Sequence, residues 1–134
     1  MTVPVAPPGA QVPEPVVRYF ECINAEDYDS LRELFHPDAE FVAVGARPRR
    51  GRDDVLTYFP AAFALLPTHD DQPTRYLVAG DTVVVEITFR GETPEGTRVE
   101  FDAVDVMDLR DGLLHRITSW YDTAAVRRQT LGTP

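Results

Sequence analysis

The chain has 134 residues, which fits a single domain built around one hydrophobic core. Hydrophobic residues make up 43% and charged residues 26%, a balance typical of globular proteins. The net charge of −9 opposes contact with phosphate backbones and anionic membranes, so we expect neither nucleic acid nor membrane as a partner. The single cysteine, Cys22, cannot form a disulfide within the chain, which favours a cytoplasmic location.

The N-terminal half of the chain is predicted to be mainly helical. Residues 1–13 are rich in proline and are expected to form a flexible leader, followed by one domain at 14–134. A first helix is predicted over about Glu14 to Asn24, where apolar residues recur at helical spacing. A second short helix follows Asp27, a favourable N-cap residue.

An early strand and a third helix complete this half. The strand is predicted over Ala39–Val44, and an arginine-rich loop follows at 47–51. The third helix begins near Arg52 and ends near Leu66, and Pro60 is expected to kink or break it.

The C-terminal half is predicted to be a series of antiparallel strands. Asp70 and Asp71 are expected in a solvated loop before the first of them. Four strands follow, separated by turn signals, and a short helix or tail ends the chain. The strands are Thr74–Ala79, Thr82–Arg90, Arg98–Arg110 and Leu113–Tyr121. Three helices beside an antiparallel sheet indicate an α+β fold, with a cone-shaped, curved sheet around the helices and a cavity between them.

Asp105 breaks the pattern of its own strand. Side chains alternate between the two faces of a strand, and Asp105 shares its face with Phe101, Ala103 and Met107. A carboxyl held away from water has a raised pKa and stays protonated near neutral pH. It could then donate a hydrogen bond to a developing oxyanion. The alternatives are a bulge that returns Asp105 to solvent, or a buried Arg or His partner.

Tyr19 is the second candidate for the site, because it lies on the inner face of the first helix. A buried phenol needs a hydrogen-bond partner, although a tyrosine in a core is common. Tyr19 is therefore expected to be functional only if it meets Asp105 in one pocket.

Three segments of the chain resemble bacterial ketosteroid isomerases in order and spacing: VVRYFECINAEDYDSLRELFHPDAEF, RRGRDDVLTYF and FDAVDVMDLRDG. The ending WYDTAAVRRQTLG is more similar to the SnoaL-like polyketide cyclases. Both belong to the nuclear transport factor 2-like superfamily. The resemblance implies that Tyr19 and Asp105 form an oxyanion hole. It also implies a departure, because Ala43 occupies the position where ketosteroid isomerases carry an aspartate as general base.

The remaining candidates are residues on the predicted inner faces. The expected substrate pocket is lined by Phe20, Phe35, Phe59, Phe63, Phe101, Ala103, Met107, Ile117, Ser119 and Tyr121. His115 is a possible general base, since it is in register with Ile117, but its place beside a turn favours exposure. Trp120 falls on the opposite face, which suggests a homodimer through the outer side of the sheet. No metal-ligand spacing is present, so we expect no metal and no cofactor.

These observations lead to two functional hypotheses. The first is an isomerase or cyclase that acts on a ketone, polyketide or steroid-like substrate, with Tyr19 and Asp105 polarising a carbonyl and an unidentified base. Its ligand would be small and apolar, with a carbonyl or phenol. The second is a module of the same fold that binds a ligand or another protein without catalysis. The alanine at position 43 favours the second, whereas a desolvated carboxyl favours the first.

Overall fold

The computed structural model describes residues 11–131. Its elements, in chain order, are α1 (Glu14–Ala25), α2 (Tyr28–Leu34), β1 (Phe35–Ala43), β2 (Arg49–Arg50), α3 (Arg52–Leu65), β3 (Thr68–Ala79), β4 (Thr82–Glu92), β5 (Arg98–Arg110), β6 (Leu113–Tyr121) and α4 (Thr123–Leu131). The α+β class is confirmed. Within residues 11–131, every helix is too short or too polar to cross a bilayer. The predicted leader lies mostly outside the described residues.

The first two helices match their sequence signals closely. Helix α1 buries Val16, Tyr19 and Ile23 on one face, as the helical spacing predicted. It ends where Glu26 adopts a left-handed conformation with φ of 53°. The Asp27 side chain then accepts a hydrogen bond from the backbone of Ser30 and caps α2.

Helix α3 differs from the prediction, because Pro60 does not break it. The helix continues from Arg52 to Leu65 with Pro60 in its interior. Proline removes one backbone hydrogen bond from a helix. Burial of Val55 and Phe59 in the core offsets this loss and holds the two halves of the helix together.

The six strands form one sheet in the order β2-β1-β6-β5-β4-β3. All neighbouring pairs are antiparallel except β1 and β6, which run parallel. Alternate residues of β4 and β5 are buried on the face that meets the helices. This inner face and the buried sides of α1 and α3 form the hydrophobic core.

Strand β3 begins six residues earlier than predicted, at Thr68 instead of Thr74. Gly91 makes this early pairing possible, because a Cβ at this position would lie 2.5 Å from the backbone oxygen of Thr68. A bulge between Pro73 and Arg75 shifts the register with β4 by one residue. The predicted loop at Asp70 and Asp71 is therefore wrong, and both residues pair with β4.

A second bulge lies in β6. Asp108 pairs with Arg116 and Leu109 pairs with Leu114, so His115 has no partner in β5. The extra residue turns Leu114 to the buried face, where it is fully enclosed. From Ile117 to Tyr121 the predicted alternation is intact.

Candidate functional site

An open-ended cavity of about 980 Å³ lies between the inner face of the sheet and the helices. Aromatic side chains form much of its wall. They are Tyr19 from α1, Tyr58, Phe59 and Phe63 from α3, and Phe41, Phe89, Phe101 and Tyr121 from the sheet. A cavity of this size and character suits a small organic ligand with several rings.

Asp105 points into this cavity from the middle of β5. It is 4% exposed, and its Oδ1 is buried without a hydrogen-bond partner. Ser119 lies opposite it in β6, and its hydroxyl favours the charged form of the carboxyl. Burial outweighs that effect and raises the pKa of Asp105 to about 7. The strand pattern thus placed Asp105 correctly, and the bulge considered for it does not occur there.

Tyr19 lines the same cavity from α1. Its ring packs edge-on against Phe35 and Phe59, with centroids 6.2 Å and 5.9 Å away. Burial and the nearby charge of Asp105 raise the pKa of Tyr19 well above its usual value. The phenol therefore stays protonated and available as a donor. Tyr19 and Asp105 meet in one cavity, which is the condition on which a functional role for Tyr19 depends.

Asp71 lines the cavity together with Tyr19 and Asp105. The sequence analysis did not identify it as a residue of the site. It lies on β3 opposite Phe89, and its Oδ2 is buried without a hydrogen-bond partner. Burial, and after it the charges of Asp105 and Asp70, raises the pKa of Asp71 to about 7. The charge of Asp105 thus disfavours ionisation of Asp71, in the same direction as burial does.

The side chain of Asn24 fixes the backbone at Asp71. Its Nδ2 donates to the carbonyl oxygen of Asp71 at 3.0 Å, and its Oδ1 accepts from the backbone nitrogen at 2.8 Å. Two hydrogen bonds from one amide hold the strand against the end of α1. The position of the Asp71 carboxyl is consequently set by α1, the element that also carries Tyr19.

The predicted pocket residues divide into two groups. Phe59, Phe63, Phe101, Ala103, Ser119 and Tyr121 line the cavity. Phe20, Phe35, Met107 and Ile117 do not; they are buried in the packed core. Met107 and Ile117 pair with each other on the inner face, near the β5–β6 turn, so they are farther along the strands than Asp105 and Ser119.

Neither position considered for the base brings a proton acceptor to the cavity. The β6 bulge leaves His115 outside the lining, where its ring meets that of His36 at 5.3 Å. Ala43 is 2% exposed and pairs with Ser119 in the parallel β1–β6 ladder. The cavity thus contains Tyr19 and Asp105, whereas neither Ala43 nor His115 contributes a proton acceptor to its lining.

Arg49 and part of helix α4 also belong to the lining of the cavity. Arg49 contributes to the lining, and its guanidinium carbon lies 5.5 Å from the centre of the Tyr58 ring. Helix α4 adds Val126 and Thr130 to the lining. Gln129 anchors this helix to β5 through two hydrogen bonds, at 2.7 Å and 2.9 Å, with the backbone of Glu100.

The acidic side chains of the cavity do not form a metal centre. Across residues 11–131, no three His, Cys, Asp or Glu side chains are grouped so that they could hold a metal ion. Among residues 11–131, the acidic and phenolic side chains of the lining are Tyr19, Tyr58, Tyr121, Asp71, Glu95 and Asp105. This set can donate hydrogen bonds to an oxygen and exchange protons with a bound molecule.

Residues 16–120 match the family model of the SnoaL-like domain. The match spans most of the sequence, so the chain belongs to the SnoaL-like domain family. The comparison with curated proteins gave no match.

Solved structures show the same fold. A protein from Jannaschia sp. CCS1 that is named for its likeness to SnoaL-like polyketide cyclases is 23% identical, with a TM-score of 0.82 over 90% of this chain and 92% of the other. A protein from Sinorhizobium meliloti, also named for a likeness to polyketide cyclases, is 28% identical, with a TM-score of 0.71 over 81% and 95%. TerC, crystallised with polyporic acid, is 22% identical, with a TM-score of 0.81 over 88% and 96%. The fold is therefore the nuclear transport factor 2-like cone, which confirms the resemblance stated from the sequence.

Proposed function

We propose that this protein is an isomerase or cyclase that acts on a small, largely apolar ketone, polyketide or steroid-like compound. Tyr19 and protonated Asp105 donate hydrogen bonds to a carbonyl oxygen of the substrate. These bonds strengthen as negative charge develops on that oxygen, and they stabilise an enolate. Proton transfer or carbon–carbon bond formation then completes an isomerisation or a cyclisation.

The observation that carries this proposal is the buried Oδ1 of Asp105, which has no partner and faces the cavity that Tyr19 lines. An unsatisfied polar atom in a buried site costs about 1–3 kcal/mol. A ligand oxygen would satisfy it, so the cavity gains most from a molecule that places a carbonyl or phenol there. The aromatic walls supply the apolar contact for the rest of that molecule.

The comparisons support a ligand of this kind. Two proteins of the same fold carry the name polyketide cyclase, and TerC was crystallised with polyporic acid. These proteins share the fold at low sequence identity, so their support extends to the class of small organic ligand. The assignment of roles to Tyr19 and Asp105 depends on this chain's own cavity.

The test is the binding of 2-naphthol, a phenol with an apolar ring system, monitored by fluorescence at pH 6. We expect Asp105→Ala and Tyr19→Phe, which each remove a donor, to weaken binding at least tenfold, which corresponds to about 1.4 kcal/mol. Asp102→Ala is the matched control, because Asp102 lies on the exposed face of the same strand. Equal affinities for wild type and Asp105→Ala would contradict the proposed oxyanion hole.

Ala43 favours one alternative, a binding module without catalysis. A protein that only holds a ligand needs no base, and β1 supplies none to this cavity. On this alternative, naphthol binding depends on the aromatic wall and not on Asp105. The same titration therefore separates the two functions.

A further inference from the structure

Seven ionisable side chains of residues 11–131 line the cavity, and any proton acceptor that the protein supplies must be one of them. They are Tyr19, Arg49, Tyr58, Asp71, Glu95, Asp105 and Tyr121. An arginine does not accept protons at physiological pH, and burial raises the pKa values of the three tyrosines so that they stay protonated. Asp105 acts as a donor in the proposed function. Glu95 and Asp71 remain, and Glu95 is exposed at the β4–β5 turn.

Asp71 has the geometry that an acceptor in an apolar site requires. It lies on β3 and Asp105 lies on β5, with β4 between them, and their β4 partners Phe89 and Val85 are both on the inner face. The two carboxyls thus enter the cavity from different strands of one curved wall. The Oδ2 of Asp71 is buried and has no hydrogen-bond partner in the protein, so its capacity to accept a proton is unused.

Two hydrogen bonds from a distant side chain fix the backbone at Asp71. Asn24 holds both backbone polar groups of Asp71 across 47 residues of sequence. Because proton transfer depends on a fixed distance between donor and acceptor, a rigid backbone at this point favours a catalytic over a passive role.

We propose that Asp71 is the general base, which removes a proton from the carbon next to the carbonyl that Tyr19 and Asp105 hold. The C–H bond breaks, its proton passes to a carboxylate oxygen of Asp71, and its electron pair moves into the enolate. In an isomerisation Asp71 returns the proton to another carbon of the same substrate. In an aldol cyclisation the enolate carbon attacks a second carbonyl, and the proton passes from Asp71 to the new alkoxide. This inference rests on the proposed function.

The experiment uses 2-tetralone, a bicyclic ketone with acidic hydrogens beside its carbonyl. Exchange of these hydrogens for deuterium in D₂O is monitored by NMR with and without protein. We expect wild type to accelerate exchange above the buffer rate, and Asp71→Asn to lower this acceleration at least about 100-fold, as loss of a general base does. Affinity for 2-naphthol should stay within about threefold of wild type, a change of under 1 kcal/mol.

Two further variants make the result specific. Asp70→Asn removes the same charge from the neighbouring residue, whose side chain contacts Gln72, and should change exchange far less than Asp71→Asn does. Asp71→Ala vacates the carboxyl, so added acetate should restore part of the exchange if Asp71 acts as a base. A merely structural role for Asp71 would give no such rescue.

The outcomes distinguish this inference from the proposed function. Exchange by Asp71→Asn at the wild-type rate, or no exchange by wild type that binds 2-tetralone, would overturn the role of Asp71. Either result leaves the oxyanion hole intact if naphthol binding still depends on Asp105. Naphthol binding that is independent of Asp105 would instead remove the proposed function on which this inference rests.

Discussion

Asp71 and Asp105 approach one cavity from strands β3 and β5, and each has a buried carboxyl oxygen without a hydrogen-bond partner. Such a pair stabilises the protein less than apolar side chains would, because each carboxylate loses its hydration and faces another negative charge. The pair therefore makes sense as part of a binding or catalytic site. It also gives the protein a stability that depends on pH.

The first prediction concerns Asp105→Asn and the free energy of unfolding. Asp105 has a pKa of about 7 in the folded protein against an ordinary value of 3.8, so between these values the folded state holds a proton that the unfolded state releases. The contribution of protonated Asp105 to the free energy of unfolding is therefore fully present below about pH 4 and is lost as pH rises through 7. Asparagine does not ionise, so the variant does not lose stability in this way. We expect its stability relative to wild type to rise between pH 4 and 8, by roughly 4 kcal/mol at most.

Urea denaturation at several pH values measures this difference. Asp102→Asn is the control, because its side chain is on the exposed face of β5 and contacts Thr88. If the stability difference from wild type changed with pH equally in both variants, the change would not come from burial at position 105. If the difference between Asp105→Asn and wild type did not change with pH, the Asp105 carboxyl of wild type would ionise in the folded state as easily as in water.

The second prediction tests the clamp between α1 and β3, the two hydrogen bonds between the Asn24 side chain and the Asp71 backbone. Asn24→Ala removes a donor and an acceptor from the backbone of Asp71, in a partly buried contact. We expect a loss of about 1–3 kcal/mol in the free energy of unfolding, because the two backbone groups are left without partners. Gln72→Ala is the control, since the exposed Gln72 amide donates to the nearby Asp70 side chain, and should change stability by less than about 0.5 kcal/mol. Similar losses in both variants would contradict the clamp.

Predictions from the sequence were correct where side chains alternate regularly, and they failed where a bulge interrupts that alternation. The parity of β5 correctly placed Asp105 on the inner face, and helical spacing did the same for Tyr19. In β3, Thr74 is the extra residue, so Asp71 and Tyr76 share the inner face although five positions separate them. In β6, the extra residue His115 loses the inward register that Ile117 keeps. A bulge adds one residue to a strand, so the residues beyond it face the opposite side of the sheet from the one that alternation predicts. Its position depends on pairing with the partner strand, which the local sequence does not reveal.

Gly91 provides the third prediction, because it lets β3 extend back to Thr68. A methyl group at Gly91 would lie 2.5 Å from the Thr68 carbonyl oxygen, closer than real contacts allow. We expect Gly91→Ala to separate the two strands at this end and to lower stability by about 1–3 kcal/mol. Hydrogen exchange should show reduced protection from Thr68 to Asp71. Unchanged protection there would mean that the strand pair can absorb the methyl group without moving.

The outer face of the sheet provides the last prediction. Trp120 is 54% exposed there and lies opposite Val104 in β5. Leu77, Val84 and Val106 form a second apolar row across the neighbouring strands of the same face. An exposed tryptophan beside valines is typical of an interface core, and a stable dimer buries about 800 Å² on each partner. We therefore propose that two copies associate through this face.

Light scattering after size exclusion tests the homodimer. We expect wild type to have about twice the chain mass of 15.0 kDa, and Trp120→Glu to have the mass of a single chain. The glutamate would place a charge at the centre of the interface, where two symmetry-related copies would repel each other. Leu131→Glu is the matched control, because Leu131 is also exposed, at 66%, but lies on α4 away from this face. A monomeric wild type at micromolar concentration would contradict the dimer. If both variants still formed dimers, the interface would not lie at Trp120. Because Val104 and Trp120 share strands with Asp105 and Ser119, dimerisation would also brace the outer side of the wall that holds the site.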